Sequence, residues 1–292
     1  MPFRVALAGC SLWPGGSGDH AGLAEALADR GAGADWLSWE DPAADWSRYD
    51  LVLLRETWDY TAHLDRFLGW IDDVAVATRL VNPPGVVGWN HHKEYLRQLA
   101  GAGVPTVPTA VVRAGSGDAG AALAAFAGDA FVVVKPAVGI GGDGAVRGRA
   151  DDPATADHVR ALLAGGDVLV QPYVPSIETD GETSVVVLGG RVSHAVAKRP
   201  AAGEFRIHAH RGGTYAEVEA SAAHREVALA AYEAARDATG DAILYARADL
   251  VAGDGGPLLM ELELIEPSLY LHVVPSATAH LADLVVAAVR SR

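Results

Sequence analysis

A single cysteine, Cys10, in 292 residues leaves no disulfide framework to build on and suits a reducing cytoplasm. Basic residues are also scarce. A net charge of −14 argues against any partner held by its phosphate backbone, so no nucleic acid is expected and an anionic ligand must be met by cations gathered locally. No apolar run is long enough to span a bilayer, which argues against a membrane role. Leu7-Ala8-Gly9-Cys10 imitates a lipoprotein cleavage box. The apolar stretch before it is only about five residues, short of the 7–15 that a signal peptide needs, so Phe3–Gly9 reads as a first buried strand. Half of the chain is hydrophobic, enough for two or three compact units with no staple.

Against these absences, residues 131–144 stand out: Phe-Val-Val-Val-Lys-Pro-Ala-Val-Gly-Ile-Gly-Gly-Asp-Gly. A β-branched run delivers Lys135 to a strand end, and Pro136 lacks the amide to continue it. Gly139, Gly141, Gly142 and Gly144 then leave a backbone that can approach a bulky anion closely. A cation followed by a glycine-rich turn handles phosphate, which points to a nucleotide. Gly139-x-Gly141-x-x-Gly144 formally fits the dinucleotide fingerprint, but that motif needs a helix directly after the glycines. Here Ala145-Val-Arg-Gly-Arg-Ala150 reads as a second strand and a turn. No Lys-Ser or Lys-Thr follows the glycines, so a Walker loop fails too. Taken alone, the segment could equally be an ordinary glycine-rich hairpin.

The pattern along the chain predicts an α/β protein in three segments. Residues 1–80 alternate strands (Phe3–Ala8, Leu51–Leu54) with helices (Ala21–Arg30, around Leu64–Val76), the signature of a mostly parallel sheet. Asn82-Pro83-Pro84-Gly85 marks a boundary, and Asn90 is expected to cap a helix carrying Lys93, Tyr95, Leu96 and Leu99. Residues 108–171 form a small α+β segment. The remainder is strand-rich, with Thr183–Leu188 and Arg191–Ala197 joined at Gly189-Gly190, a two-residue hairpin signal, then a helix over Ala222–Thr239.

A carboxylate cluster is the second strong feature. Ile243–Val251 and Leu258–Ile265 read as strands joined by a turn-forming run. Glu261 and Glu263, two apart, share one strand face. A hairpin centred on Gly255 sets Asp249 opposite Glu261 and Arg247 opposite Glu263. Like charges facing each other on a sheet need a cation between them, and magnesium takes oxygen ligands of this kind. A one-residue slip would turn Asp249 to the other face. The bland alternative is a solvated acidic edge, but these charges sit in an apolar run, Leu258-Leu-Met-Glu-Leu-Glu-Leu-Ile265.

With these motifs in order, the chain resembles the ATP-grasp carboxylate–amine ligases. It is similar to bacterial glutathione synthetase, and closer in pattern to the cyclo-ligases that form D-cycloserine from O-ureido-D-serine. The resemblance runs from about Val81 to Val274, more loosely before that. It implies the ATP-grasp fold: an N-terminal α/β pre-ATP-grasp domain (1–80), a core (81–107 and 172–292) with a mainly antiparallel sheet, and an α+β lid (108–171). It also implies ATP and Mg2+ as cofactors. Lys93 and Lys135 stand where two lysines reach the phosphates, and Gly139–Gly144 where the lid loop lies. Gln171, Tyr173 and Val174 fall at the adenine slot, Glu182 where an acid takes the ribose hydroxyls, and Asp249, Glu261 and Glu263 at the magnesium ligands. Gly203-Glu-Phe-Arg206 matches the run that carries the acyl-phosphate arginine. Two departures separate it from glutathione synthetase: Glu263 replaces an asparagine, and Ser184 an arginine that helps to bind substrate.

The resemblance implies that ATP phosphorylates a carboxylate and that an amine attacks the acyl phosphate. Positioning and charge neutralisation supply most of the rate, with Arg206 on the developing charge. Lys198, beside Arg199, adds to this anion site unless it is a solvated strand end. Arg55 and Trp58 end a strand where ligands of open α/β sheets collect, and with Ser268 they are expected to meet substrate. His208 and His210 are read as loop residues, since two histidines without a third ligand rarely hold a metal; His91 and His92 are read as exposed. The small-molecule substrates are unnamed by the sequence, and a symmetric homodimer is the default assembly. Two other classes compete: a silent ATP-binding regulatory module, and a kinase that stops after phosphorylation.

Overall fold

The computed structural model describes residues 3–14, 16, 19, 22–116, 119–128, 131–201, 203–207 and 211–291. Its first sheet is parallel, with β1 (Phe3–Gly9), β2 (Ala32–Ser38), β3 (Leu51–Glu56) and β4 (Arg79–Val81) in the order β2-β1-β3-β4. Helices α1 (Leu23–Ala28) and α2 (Leu64–Ala77) connect the strands. Helix α1 is shorter than the Ala21–Arg30 pattern. Ala21 lies outside the described residues, and Gly22 at φ +84° cannot continue a right-handed helix. Strand β3 is buried throughout, Arg55 and Glu56 included.

Two short helices, α3 (Pro84–Asn90) and α4 (Tyr95–Gly101), lead out of this unit. Asn90 is not the expected N-cap: it closes α3, and its side chain is spent elsewhere. Its amide donates to Leu262 O at 2.8 Å and accepts from Leu264 N at 2.8 Å, a buried cross-tie to a strand far along the chain. A polar side chain with such long-range partners is diverted from the local capping role.

The second sheet is small and antiparallel. It comprises β5 (Ala110–Val112), β6 (Val132–Pro136), β7 (Val146–Gly148) and β8 (Val168–Pro172) in the order β5-β8-β6-β7, backed by α5 (Ala119–Ala124) and α6 (Pro153–Leu163). Of the expected extended stretch over Val104–Val112, only Ala110–Val112 pairs as a strand.

After α7 (Ser176–Thr179) comes the third sheet: β9 (Glu182–Leu188), β10 (Arg191–Arg199), β11 (Thr214–Val218), β12 (Tyr245–Gly253) and β13 (Gly256–Glu263), with α8 (Ala222–Thr239) between β11 and β12. All pairings are antiparallel, in the order β11-β10-β9-β12-β13. Gly189 and Gly190, both at positive φ, make the two-residue turn between β9 and β10. Period-two alternation sorts the faces. Val185, Val187, Ala195, Ala246 and Ala248 join the core with α8, while Val186, Leu188, Val196 and Tyr245 pack on the opposite face with the parallel sheet and the final helix, α9 (Ser276–Arg290). No helix among the described residues is long and apolar enough to cross a membrane.

Candidate active site

The pleat of the third sheet builds the site. Glu182 and Ser184 continue the face of Val186, Lys198 that of Val196, and Arg247 and Asp249 that of Tyr245. The charged groups therefore gather on the face turned toward the parallel sheet. In the β12–β13 ladder Asp249 pairs with Glu261 and Arg247 with Glu263, as the sequence predicts. The route to that register differs. The turn is Asp254-Gly255 rather than one centred on Gly255, since Gly253 pairs with Gly256. A β-bulge then inserts Met260, so that Leu250 still pairs with Leu259 while Asp249 meets Glu261. Facing oxygens of Asp249, Glu261 and Glu263 lie within 4.8 Å of one another.

Cations answer these acids in pairs. Lys93 Nζ stands 3.1 Å from Glu261 Oε1 and donates to Gly139 O. Lys198 bridges Glu182 and Asp249, at 3.1 Å from the latter. Arg247 binds Asp249 Oδ2 at 2.9 Å and also pairs with Glu263. Ser184 Oγ donates to Asp249, which explains the small residue there. Burial opposes every one of these charges. For Asp249 the Arg247 and Lys198 charges win and hold its carboxyl far below the usual range; Lys93 and Lys135 do the same, less strongly, for Glu261. For Glu263 and Glu182 burial wins, and each carboxyl is pushed up to about 7. The donor set thus fits a hard divalent cation: three converging carboxylates, more negative charge than the site keeps ionised by itself.

The second sheet supplies the other side. Lys135, half-buried at the end of β6, has its ammonium pKa lowered by burial, with Glu261, Glu182 and Asp249 pulling it back up. Gly141, Gly142 and Gly144 take positive φ, and a Cβ on Gly144 would meet Pro136 Cγ at 3.0 Å. Gly139 does not take positive φ; its carbonyl is the Lys93 acceptor. Tyr173 and Val174 lie in an apolar cluster with Val107, Phe205, Ile207 and Met260. Gln171 is buried behind them and donates to Thr109 Oγ1 at 2.9 Å.

Two expected residues sit differently. Arg206 is clasped by Glu204, with Nη2 2.7 Å from Oε2, while Arg211 of the same loop reaches Asp143 in the glycine loop at 2.9 Å. Lys198 has no contact with Arg206: it is 3% exposed and spent on Glu182 and Asp249, so it is neither a solvated strand end nor an arm of the Arg206 site. Glu182 accordingly faces Lys198, not open space where a ribose could reach it. His208 and His210 lie outside the described residues.

Of the residues expected to meet substrate, Trp58 and Ser268 are half-buried, but Arg55 is fully enclosed. Arg55 lies 3.9 Å from Asp19 and donates to Pro267 O at 3.4 Å, and it offers a ligand no surface. Asp19 also accepts from Ser268 Oγ, Tyr270 N and His272 Nδ1 at 2.8–2.9 Å.

Known proteins share this arrangement. Residues 106–268, more than half of the chain, match the family model of the prokaryotic glutathione synthetase ATP-grasp domain, and residues 5–82 that of the N-terminal domain of D-cycloserine synthetase DcsG. The cycloserine biosynthesis protein DcsG of Streptomyces lavendulae is 36% identical over 263 residues, covering 87% of this chain and 88% of that protein. This chain belongs to the ATP-grasp ligases. A crystal structure of D-cycloserine synthetase DcsG superposes with a TM-score of 0.89 at 33% identity, covering 98% of this chain and 99% of the other. Glutathione synthetase of Ralstonia nicotianae is 30% identical over 198 residues, 66% of this chain and 58% of its own length. The likeness therefore extends over the N-terminal unit, beyond the Val81–Val274 span legible in the motifs.

Like its relatives, this ATP-grasp enzyme is an ATP-dependent carboxylate–amine ligase that uses ATP and Mg2+. Several residues of its site were not singled out from the sequence. Phe205 and Ile207 join the apolar slot from an irregular loop that carries no periodicity. Asp19 finds its partners some 250 residues away. Glu266 did carry a signal: a charge buried in the apolar run after Leu264-Ile265, the same oddity that marked Glu261 and Glu263.

Proposed function

We propose that this ligase activates a small carboxylic acid as an acyl phosphate and couples it to an amine, within one molecule or between two, releasing ADP and phosphate. The observation that carries the reading is the meeting of Asp249, Glu261 and Glu263 with Lys93 and Lys135 at the junction of the second and third sheets. Magnesium bound by the three carboxylates would neutralise phosphate charge and orient the transferred group. Lys135 supplies an ammonium that forms no ion pair with any described residue, suited to a phosphate oxygen. Lys93 would leave Glu261 for the nucleotide. Adenine would lie in the apolar slot of Tyr173, Val174, Phe205 and Met260. Arg206, released from Glu204, would stabilise the acyl phosphate and the oxyanion that follows. The segment 108–171 would act as a lid, with Gly139–Gly144 excluding water from a hydrolysable intermediate. Trp58 and Ser268 would meet the substrate. A cytoplasmic location and a homodimer belong to the same proposal, and light scattering checks the dimer.

Magnesium-dependent ADP release across amino acids and related acids, with mass spectrometry of each product, tests the reading. A dehydrated product with stoichiometric ADP supports it. A stable phosphorylated product would replace it with a kinase, and ATP binding without turnover with a regulatory module.

A further inference from the structure

Glu266 is a buried acid with nothing to hold. It is 6% exposed, yet its carboxylate makes no hydrogen bond or ion pair among the described residues. Its backbone is pinned: Glu266 O accepts from Trp58 Nε1 at 3.1 Å, and the next carbonyl, Pro267 O, accepts from Arg55 at 3.4 Å. The charges that act on the carboxyl are Glu263, Lys93, Glu261 and Arg247, and Glu266 is in turn the strongest charge felt by the Tyr60 hydroxyl. That hydroxyl also has no partner among the described residues, and neither group is sealed from open space.

An unpaired carboxylate in such a position works against folding and persists where a ligand completes it. Lys93 is engaged by Glu261, and Arg247 by Asp249 and Glu263, so neither nearby cation is left for Glu266. Its oxygens do not belong to the set that converges within 4.8 Å, so magnesium at that set leaves it unanswered. Half-buried Trp58, which bonds the Glu266 carbonyl and meets Trp13 edge-on at 5.3 Å, brings aromatic surface close to this residue, a neighbour that favours an organic cation. Burial and the neighbouring acids push the Glu266 carboxyl well above its usual range, as expected of a site lacking its positive charge.

We propose that Glu266 receives an ammonium group of the substrate whose carboxyl is activated at Asp249, Glu261 and Glu263. The assignment rests on the ligase reading above and adds a specificity-determining residue to it. A matching acid without the amino group leaves Glu266 unanswered and is rejected.

The test compares wild type, Glu266→Gln and Glu266→Asp in magnesium-dependent ADP release, using alanine, serine and glutamate of both hands and their des-amino counterparts, with Mg-ADP affinity measured alongside. With the amino acid that drives wild type best, kcat/KM should exceed that of the des-amino acid on the order of 10⁴-fold. Glu266→Gln should raise KM about 30-fold or more with a smaller change in kcat, and Glu266→Asp should recover part of the loss. Mg-ADP affinity should stay unchanged, showing that the variants fold. The Tm of ligand-free Glu266→Gln should rise, because an unpaired buried charge has gone. An unchanged KM in Glu266→Gln, or wild type accepting the des-amino acid equally, overturns the assignment. Wild type that binds Mg-ADP but turns over no acid in the panel overturns the ligase reading, and this assignment falls with it.

Discussion

Two buried groups of charge stand out in this molecule, and they are built on opposite plans. Around Asp19 a single carboxylate is met by Arg55, Ser268 Oγ, Tyr270 N and His272, so its pKa falls far below the usual range although burial pulls the other way. Around Asp249 five carboxyls, with Glu182, Glu261, Glu263 and Glu266, lie among Lys93, Lys135, Lys198 and Arg247, whose ion pairs leave Glu266 out, and three of the five are pushed up. An acid with donors to spare is scaffold, tying residues near the start of the chain to the 268–272 loop. A set with more acids than cations is unfinished without a ligand. Local charge balance thus separates the part that holds shape from the part proposed to do chemistry.

Breaking the balanced group should cost the most. Asp19→Asn leaves Arg55 buried without its counter-charge and should lower stability by about 3–5 kcal/mol in urea denaturation. Because the Asp19 carboxyl is lowered from 3.8 on folding, its contribution is present above that pH and fades as pH falls toward its folded value; the variant should lose this acid dependence. In the unfinished group the effect moves from stability to turnover. Lys135→Met would remove the proposed phosphate contact, and ADP release should fall by about 10²–10³-fold while the fold survives. Glu263→Gln sharpens the contrast. Its carboxyl rises from 4.5 to about 7 on folding, so its charge works against the ligand-free fold once pH exceeds 4.5. At pH 8 the variant should be at least as stable as wild type by calorimetry, yet lose magnesium-dependent activity. The smallest effect belongs to His272, half exposed and raised above 6.5 by Asp19. Its contribution is present below 6.5 and lost as pH rises through the folded value. Wild type should show a slight drop in Tm there that His272→Ala lacks.

What the sequence made legible follows from periodicity. Glu261 and Glu263 share a face because strands alternate, and Gly189-Gly190 turns a hairpin because both residues take positive φ. The acid pairing with Asp249 was legible too, but the bulge that achieves it was not: no local signal distinguishes Met260 as the unpaired residue. Failures cluster where a side chain's partner is remote. Asn90 looked like a cap because its tie to Leu262 and Leu264 spans more than 170 residues. Arg55 looked like a ligand contact because nothing near it in sequence announces Asp19. Lys198 was hardest to place, its strand end reading as solvated while Glu182 and Asp249 enclose it.

The contact of Lys93 with Glu261 has a kinetic consequence. In the ligand-free enzyme this lysine is already dehydrated and ion-paired, at 8% exposure. On the proposed reading, nucleotide arrival would be a partner swap, with Lys93 free to meet phosphate and Glu261 free to hold magnesium. Neither charge would have to shed a full hydration shell at that moment, and on departure each would fall back to the other. Such a reversible exchange would limit how tightly spent nucleotide is retained and favour its release at the end of each cycle.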